Sequence, residues 1–127
     1  MEDVTKFIPH RSPFLFVDEI IEISAGSIKT RKKIDPGESF FKGHYPGSPV
    51  MPGVLLCESI FQSGAILISK ITSDKAIGGE EDGVPVLTRI TNAKFKKMVK
   101  PGDTIDIETS ITETLSNVYF MKGRASV

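Results

Sequence analysis

Residues 40–62 read FFKGHYPGSPVMPGVLLCESIFQ and pass from a loop into a helix. Glycine and proline crowd residues 43–53 too densely for regular structure, so we predict a shaped loop there. Pro52 marks the start of a helix, because the first turn tolerates a residue without an N–H. Helix-compatible residues continue to Ile71 and leave almost no polar face, which is typical of a helix buried on several sides.

Strand-like segments lie on both sides of this helix. They alternate apolar and polar residues or are rich in β-branched and aromatic side chains, and turn residues separate them. The predicted strands are residues 13–23, 27–34, 86–95, 104–114 and 118–127. Residues 73–83 are polar and rich in glycine, and we expect a mobile surface connection there. This order predicts an α+β fold in which an antiparallel sheet packs on a single helix.

The composition is that of a soluble globular chain. Of 127 residues, 39% are hydrophobic and 25% are charged, and this size and balance predict a single domain over residues 1–127. The 16 basic and 16 acidic residues cancel, so net charge gives no reason to expect nucleic acid or a membrane as the partner. Any electrostatic recognition must therefore be local.

The cysteine content and the first residues indicate the compartment. Cys57 is the only cysteine, which excludes an intramolecular disulfide and favours a reducing compartment. Residues 1–6 lack the apolar core of a secretory signal, and we expect no segment to reach the roughly 20 apolar residues of a membrane span. A cytoplasmic location is the resulting expectation. One thiol and two histidines cannot build a structural zinc site without carboxylates, and we expect neither a metal nor a cofactor.

His44 is the candidate general base. Imidazole exchanges protons near neutral pH, and a loop rich in glycine and proline can hold the ring in one orientation through the backbone. Gly53 lies at the predicted helix entrance, where free N–H groups favour developing negative charge and could hold an enolate oxygen. The structural alternative is that His44 merely satisfies backbone groups of its loop.

Glu58 is an unusual residue for an apolar helix. It lies about a turn and a half from the helix start, and Gln62, four residues on, shares its face and could hydrogen-bond it. Burial favours the protonated form of a carboxyl group, whereas the helix N-terminus favours the carboxylate. Two roles therefore stay open, because Glu58 could deliver a proton to a departing hydroxyl group or hold the water that leaves.

The motif strongly resembles a known enzyme family. The blocks that carry the resemblance are residues 8–15 (IPHRSPFL), 43–47 (GHYPG), 50–54 (VMPGV) followed by Glu58 and Gln62, 93–97 (AKFKK) and 99–103 (VKPGD). In order and spacing they resemble the (3R)-hydroxyacyl-acyl carrier protein dehydratases of fatty acid synthesis, in the glutamate-type form. These enzymes have the hot-dog fold, in which an antiparallel sheet wraps around one long central helix.

The resemblance implies roles for particular residues. His44 would abstract the α-proton, and Glu58 would act as general acid in the loss of the 3-hydroxyl group as water. Gly53 would bind the thioester carbonyl through its N–H, and the Val50 carbonyl would orient His44. We count Gly53, Val54, Val50 and Gln62 as substrate-binding residues. The resemblance also implies homodimers, often three to a hexamer, in which His44 of one subunit meets Glu58 of the other beside an acyl tunnel.

The chain departs from the family pattern at two places. Ser12 stands where the family usually has an aromatic residue, which affects the tunnel wall or its neighbourhood and no catalytic group. The sequence stops at Val127, whereas family members normally continue through a turn into a last strand. We expect either a shortened sheet or an incomplete sequence, and an exposed edge strand is a pairing liability.

The remaining candidates have both a functional and a structural interpretation. Lys94, Lys96, Lys97 and Lys100 form the one marked basic concentration, which would dock an acidic acyl carrier protein and its phosphopantetheine phosphate. Alternatively, they are a solvated sheet edge. We expect His10 to be structural, holding the chain before the first strand, although it could shape the site entrance. Cys57 has no activating partner in the sequence, which argues against covalent catalysis.

Two other functions compete with dehydration. A hot-dog thioesterase would hydrolyse the same kind of thioester with a carboxylate and a helix-end N–H, but the spacing of His44 and Glu58 argues against it. A non-catalytic acyl-binding subunit would keep the tunnel and lack turnover. The presence of both candidate catalytic residues disfavours that function.

Overall fold

The computed structural model describes residues 3–75 and 85–127. A 3-10 turn at Val4–Lys6 comes first and a second one at Ser39–Lys42 precedes the helix. The regular elements are β1 (Glu19–Ile23), β2 (Ser27–Lys33), α1 (Gly53–Lys75), β3 (Thr104–Leu115) and β4 (Val118–Ser126). Within the described residues the strands pair antiparallel in the order β1-β2-β3-β4. The predicted α+β class with one long helix is confirmed.

The sheet has one buried face. Along β2 and the first half of β3 every second residue is buried, and the residues between them are exposed or partly exposed. The buried positions are Ile28, Thr30, Lys32, Ile105, Ile107 and Thr109. This period of two is what alternation predicts for a sheet packed on one side, and α1 covers that side.

Helix α1 contacts the sheet through small and hydroxyl-bearing side chains. The Oγ atoms of Ser63 and Thr30 lie 2.7 Å apart, and the Thr109 hydroxyl donates to the Ile60 carbonyl at 3.3 Å. Gly64 allows the helix to approach β3 and β4, since a Cβ at that position would meet the Met121 sulfur at 2.6 Å. Buried hydroxyl groups at the interface are thus paired, as close packing of helix on sheet requires.

The helix is longer and more exposed than predicted. It reaches Lys75, so residues 73–75 are helical and the expected connection over 73–83 is wrong at its start; residues 76–83 lie outside the described part of the chain. Val54 is 74% exposed, so the first turn is not buried on several sides. The Gly53–Thr72 stretch is, against expectation, long and apolar enough for a membrane span by length and composition. Here it is the core helix that packs on the sheet.

The predicted strand over residues 86–95 is wrong within this chain. Those residues carry no strand assignment and are exposed, and none of the described strands pairs with them. The first predicted strand is also shorter, beginning at Glu19 and not at residue 13. In the preceding segment, the Phe16 N–H donates to the Gln62 side chain at 2.8 Å and so makes no ladder bond there.

The loop that carries His44 is held at both ends. At its start, Lys32 is 5% exposed and its ammonium group lies 2.9 Å from a Glu38 carboxylate oxygen, which holds the turn before the loop. At its end, the Met51 N–H donates to the Val99 carbonyl at 2.7 Å. Phe41 and Met51 are buried in the same hydrophobic cluster. The loop is therefore held by core contacts on either side of His44.

Candidate active site

The backbone of its own loop orients the His44 ring. Nδ1 of His44 lies 2.8 Å from the Val50 carbonyl oxygen, and this is the contact that the resemblance implied. A carbonyl oxygen can only accept, so Nδ1 carries the proton and Nε2 keeps a free lone pair. Tyr45, which adopts a positive φ of 57°, places its ring edge-on to the imidazole at 4.8 Å between centroids. The imidazole is therefore held in the tautomer that a general base needs at Nε2.

A cavity of about 390 Å³ opens beside His44. Four of the predicted catalytic and substrate-binding residues line it together, and they are His44, Val50, Gly53 and Val54. The Phe95 ring packs against the start of the helix, since a Cβ on Gly53 would lie 2.9 Å from this ring. Gly53 is the first residue of α1, where N–H groups have no partner inside the helix. A base and a helix N-terminus thus share one cavity with mainly apolar walls.

Glu58 lies on the same helix but does not line this cavity. Its side chain is 17% exposed, and Oε2 accepts a hydrogen bond from Gln62 Nε2 at 3.0 Å. His10 Nε2 lies 3.6 Å from the same oxygen. No described contact joins Glu58 to His44 within one chain.

Gln62 is a buried bridge. It has no exposed surface, its Oε1 accepts from the Phe16 N–H, and its Nε2 donates to the Phe14 carbonyl at 3.0 Å as well as to Glu58. Both amide protons are therefore used. A substrate would find no free donor on Gln62 in this arrangement, and its role as a substrate-binding residue stays a prediction.

His10 lies next to Glu58, and sequence reasoning did not predict this contact. The ring stacks on Phe14 at 6.4 Å and meets Phe61 edge-on at 6.2 Å. Its backbone is also held, as expected for a structural residue, because the Arg11 guanidinium donates to the Ile8 and His10 carbonyls. The sequence showed only that His10 is a titratable residue in a Pro-His-Arg block. It did not show that His10 lies near Glu58, because the two residues are 48 positions apart in the chain.

The four lysines predicted to dock a carrier are exposed, and they are Lys94, Lys96, Lys97 and Lys100. Lys97 also lines the His44 cavity, which places a cation at its wall. None of the four makes an ion pair with another described residue. Cys57 is a partly buried free thiol.

The fold and the site together define a class of protein. Residues 8–127 match the family model of the FabA-like domain. A solved structure, the dehydratase heterocomplex ApeI:P from Xenorhabdus doucetiae, superimposes with a TM-score of 0.76 over 99% of this chain and 82% of that chain. Its sequence identity is 17%, so this likeness supports the hot-dog fold alone.

Relatives with higher sequence identity identify the family within this class. The 3-hydroxyacyl-[acyl-carrier-protein] dehydratase FabZ of Petrotoga mobilis is 39% identical over 100% of this chain and 86% of its own length. The corresponding FabZ of Wolbachia pipientis wMel is 43% identical over 100% of this chain and 85% of that protein. That of Campylobacter concisus is 36% identical over 98% and 85%. The chain belongs to the FabZ dehydratase family.

Proposed function

We propose that this protein is a hydro-lyase of fatty acid biosynthesis that converts (3R)-hydroxyacyl-acyl carrier protein into the trans-2-enoyl thioester. The observation that carries the proposal is the His44 cavity. It combines an imidazole with a free Nε2, a helix N-terminus at Gly53 and mainly apolar walls. This combination suits removal of a proton next to a thioester carbonyl, and the family membership supports it.

The chemistry follows from the groups in place. His44 Nε2 takes the C2 proton, and the N–H groups at the start of α1 stabilise the negative charge that develops on the thioester oxygen. The electron pair then forms the C2–C3 double bond while the C3–O bond breaks. Glu58 gives its proton to the departing oxygen, which leaves as water. His44 ends protonated and Glu58 ionised, and proton exchange with solvent restores both.

We further propose that the complete site contains residues of two subunits. His44 and Glu58 share no described contact within one chain, so a second copy would bring the carboxyl group of one subunit to the imidazole of the other. The segment over residues 85–98 supports such a dimer, because it has no strand partner and exposes large apolar side chains. These are Val86, Leu87, Ile90, Phe95 and Met98. A trimer of such dimers in the cytoplasm is the assembly that we propose.

The partner that we propose is an acyl carrier protein. Its acidic surface would meet the exposed lysines of the basic segment, residues 94–100. Lys97 at the cavity wall is placed to attract the phosphate of the phosphopantetheine arm as the acyl chain enters.

An assay of the purified protein tests this function. It uses 3-hydroxyacyl carrier-protein thioesters of several chain lengths and follows enoyl thioester and free thiol in the same reaction. We expect enoyl product without thiol release. Thiol release would identify a thioesterase, and tight binding with neither product would identify a non-catalytic acyl-binding subunit.

A further inference from the structure

We propose that His10 is a positioning residue for Glu58. With Gln62 it holds Oε2 of the carboxyl group, which leaves Oε1 as the oxygen that gives up the proton. The inference rests on the proposed function, in which Glu58 is the general acid. It adds a second positioning side chain beside Gln62 and assigns different tasks to the two oxygens of Glu58.

Both neighbours of the Glu58 carboxyl group approach the same oxygen. Gln62 Nε2 donates to Oε2 at 3.0 Å, and His10 Nε2 lies 3.6 Å from Oε2. At 3.6 Å the imidazole is in electrostatic contact, and an approach of about 0.5 Å closes a hydrogen bond. Oε1 accepts no hydrogen bond from any described residue. Donors on one oxygen favour negative charge there, so the proton of the neutral acid belongs on the other oxygen.

The surroundings of His10 hold the ring in this position. Phe14 stacks on one face and Phe61 meets the ring edge-on, and both contacts are aromatic pairs of ordinary geometry. The Arg11 guanidinium donates to the carbonyl groups of Thr5, Ile8 and His10 and so fixes the backbone that carries the ring. The His10 side chain is only 19% exposed. These contacts restrict the imidazole to a rotamer in which Nε2 faces Glu58.

The other nitrogen of His10 determines the tautomer. Nδ1 is buried and reaches no hydrogen-bond partner among the described residues. A proton on Nδ1 would be a buried donor without an acceptor, which is the more costly of the two arrangements. The neutral ring therefore carries its proton on Nε2 and donates toward Glu58. His44 has the opposite tautomer, with the proton on Nδ1 toward Val50.

The proton transfer in the proposed reaction follows directly. The O–H bond at Oε1 breaks as a new O–H bond forms on the departing hydroxyl oxygen and the C3–O bond opens. The negative charge left on the carboxylate is received at Oε2, where Gln62 already donates and His10 Nε2 lies 3.6 Å away. His10 itself neither gains nor loses a proton in this step.

Two variants separate the donor from the ring. His10→Phe keeps the packing against Phe14 and Phe61 and removes the donor, whereas His10→Gln removes the ring and keeps an N–H near the position of Nε2. We expect His10→Phe to lower kcat by roughly 10- to 100-fold with KM within about two-fold, as for a misplaced catalytic group. His10→Gln should stay within roughly five-fold of wild type. The reverse order, with His10→Phe active and His10→Gln impaired, would show a packing role and overturn the proposal.

The tautomers give a readout that does not depend on turnover. The chain contains two histidines, so selective ¹⁵N labelling yields two pairs of ring-nitrogen signals, and His44→Ala assigns them. At neutral pH we expect His10 to be protonated at Nε2 and not at Nδ1, with the opposite pattern in His44. A proton on Nδ1 of His10 would contradict the inference.

The two measurements keep the two proposals apart. If the wild-type protein forms no enoyl thioester, the proposed function fails, and the tautomer of His10 still decides whether its Nε2 is a donor to Glu58. If wild type is active and His10→Phe matches it, dehydration stands and the role of His10 falls.

Discussion

At the scale of single residues, the candidate site depends on hydrogen bonds that fix the tautomer or the hydrogen-bonded atom of each side chain. The Val50 carbonyl fixes which nitrogen of His44 is free, and Gln62 determines which oxygen of Glu58 is occupied. Sequence reasoning named these four residues, and the resemblance supplied the Val50 contact. It did not foresee that Gln62 would be fully buried, because burial of an amide depends on the Phe14–Phe16 segment that packs across it.

The first prediction concerns the pair of candidate catalytic residues. His44→Ala and Glu58→Gln should each lower the dehydration rate by about 10² to 10⁴, because each removes a proton transfer. The double variant should be scarcely slower than either single one, as expected for groups that act as a unit. Steady-state rates on a 3-hydroxyacyl thioester check this, with thermal unfolding as the control for folding. Losses that multiply in the double variant would argue against a pair.

At the scale of elements, the packing of α1 on the sheet decides the geometry of the site. The helix carries Gly53, Glu58 and Gln62, so a shift of its axis would move all three. The close approach depends on residues without side chains at the contact, and Gly64 on the helix and Gly123 on β4 are such residues. A sequence pattern identifies the helix and the strands, but it does not identify which glycines lie between them.

Gly123→Ala is therefore expected to destabilise the fold. A methyl group there would overlap Ile60 and lie 3.2 Å from the Glu108 carbonyl oxygen, so β4 and the helix would have to move apart. Overpacking of this kind costs about 1–3 kcal/mol. Gly26→Ala is the matched control, since nothing lies within 4 Å of a Cβ at that position. Urea unfolding of both variants gives the comparison, and equal midpoints would refute the packing argument.

A cross-strand ion pair gives the sheet a predictable response to acid. Arg31 on β2 is the partner of Asp106 on β3, and their side chains lie 2.7 Å apart. The hydrogen bond from Arg31 lowers the pKa of Asp106 below its ordinary value of 3.8. Because the pKa is lower in the folded state, the pair stabilises the fold above about pH 3.8, and this contribution disappears as pH falls through the folded-state pKa.

Asp106→Asn should therefore unfold at a slightly lower urea concentration than wild type at neutral pH, and the difference should vanish in acid. The effect is small, because both side chains are exposed and solvent screens the pair. Glu113→Gln, on the same strand and without an ion pair among the described residues, is the control. A difference that persists at pH 2 would mean that the substitution acts through something other than the charge.

At the scale of the whole molecule, His44 and Glu58 lie at separate places within one chain. His44 lines its cavity without Glu58, and Glu58 on α1 lies beside Gln62 and His10. The proposed dimer would combine them. In a symmetric dimer each site would take its imidazole from one subunit and its carboxyl group from the other.

Mixed subunits test this arrangement. A hybrid of His44→Ala and Glu58→Gln subunits would contain one site with both substitutions and one site with both native residues. We expect such hybrids, purified through two different tags, to recover about half of the wild-type activity. Hybrids of two differently tagged His44→Ala subunits should stay inactive. If the mixed hybrids also stay inactive, both residues of a site belong to one chain.

The last prediction concerns the approach of the carrier. Lys96→Glu together with Lys97→Glu should raise KM for carrier-bound substrate, and wild-type activity on that substrate should fall as salt rises, because exposed charges act chiefly on association. Activity on a small pantetheine thioester should barely change. Lys6→Glu together with Lys122→Glu alters net charge equally outside the basic segment and serves as the control. Equal losses on both substrates would instead indicate a defect of the cavity wall, where Lys97 lies.

The sequence by itself determined most of the elements and the chemical candidates. Alternation identified β2, β3 and β4, the Gly/Pro loop and Pro52 placed the helix start, and the spacing of His44 and Glu58 carried the resemblance to the family. These features are local, because strand alternation, helix starts and loop residues depend on neighbours along the chain.

Only the tertiary structure decided which residues meet. Residues 86–95 have the pattern of a strand, yet no described strand pairs with them, because pairing needs an edge from a distant segment or another subunit. Contacts across 46 to 48 residues bury Gln62 and bring His10 to Glu58. Such contacts depend on how the helix packs against the chain before β1. Secondary-structure propensity and residue spacing do not predict such contacts, because they describe each segment without the segment that packs on it.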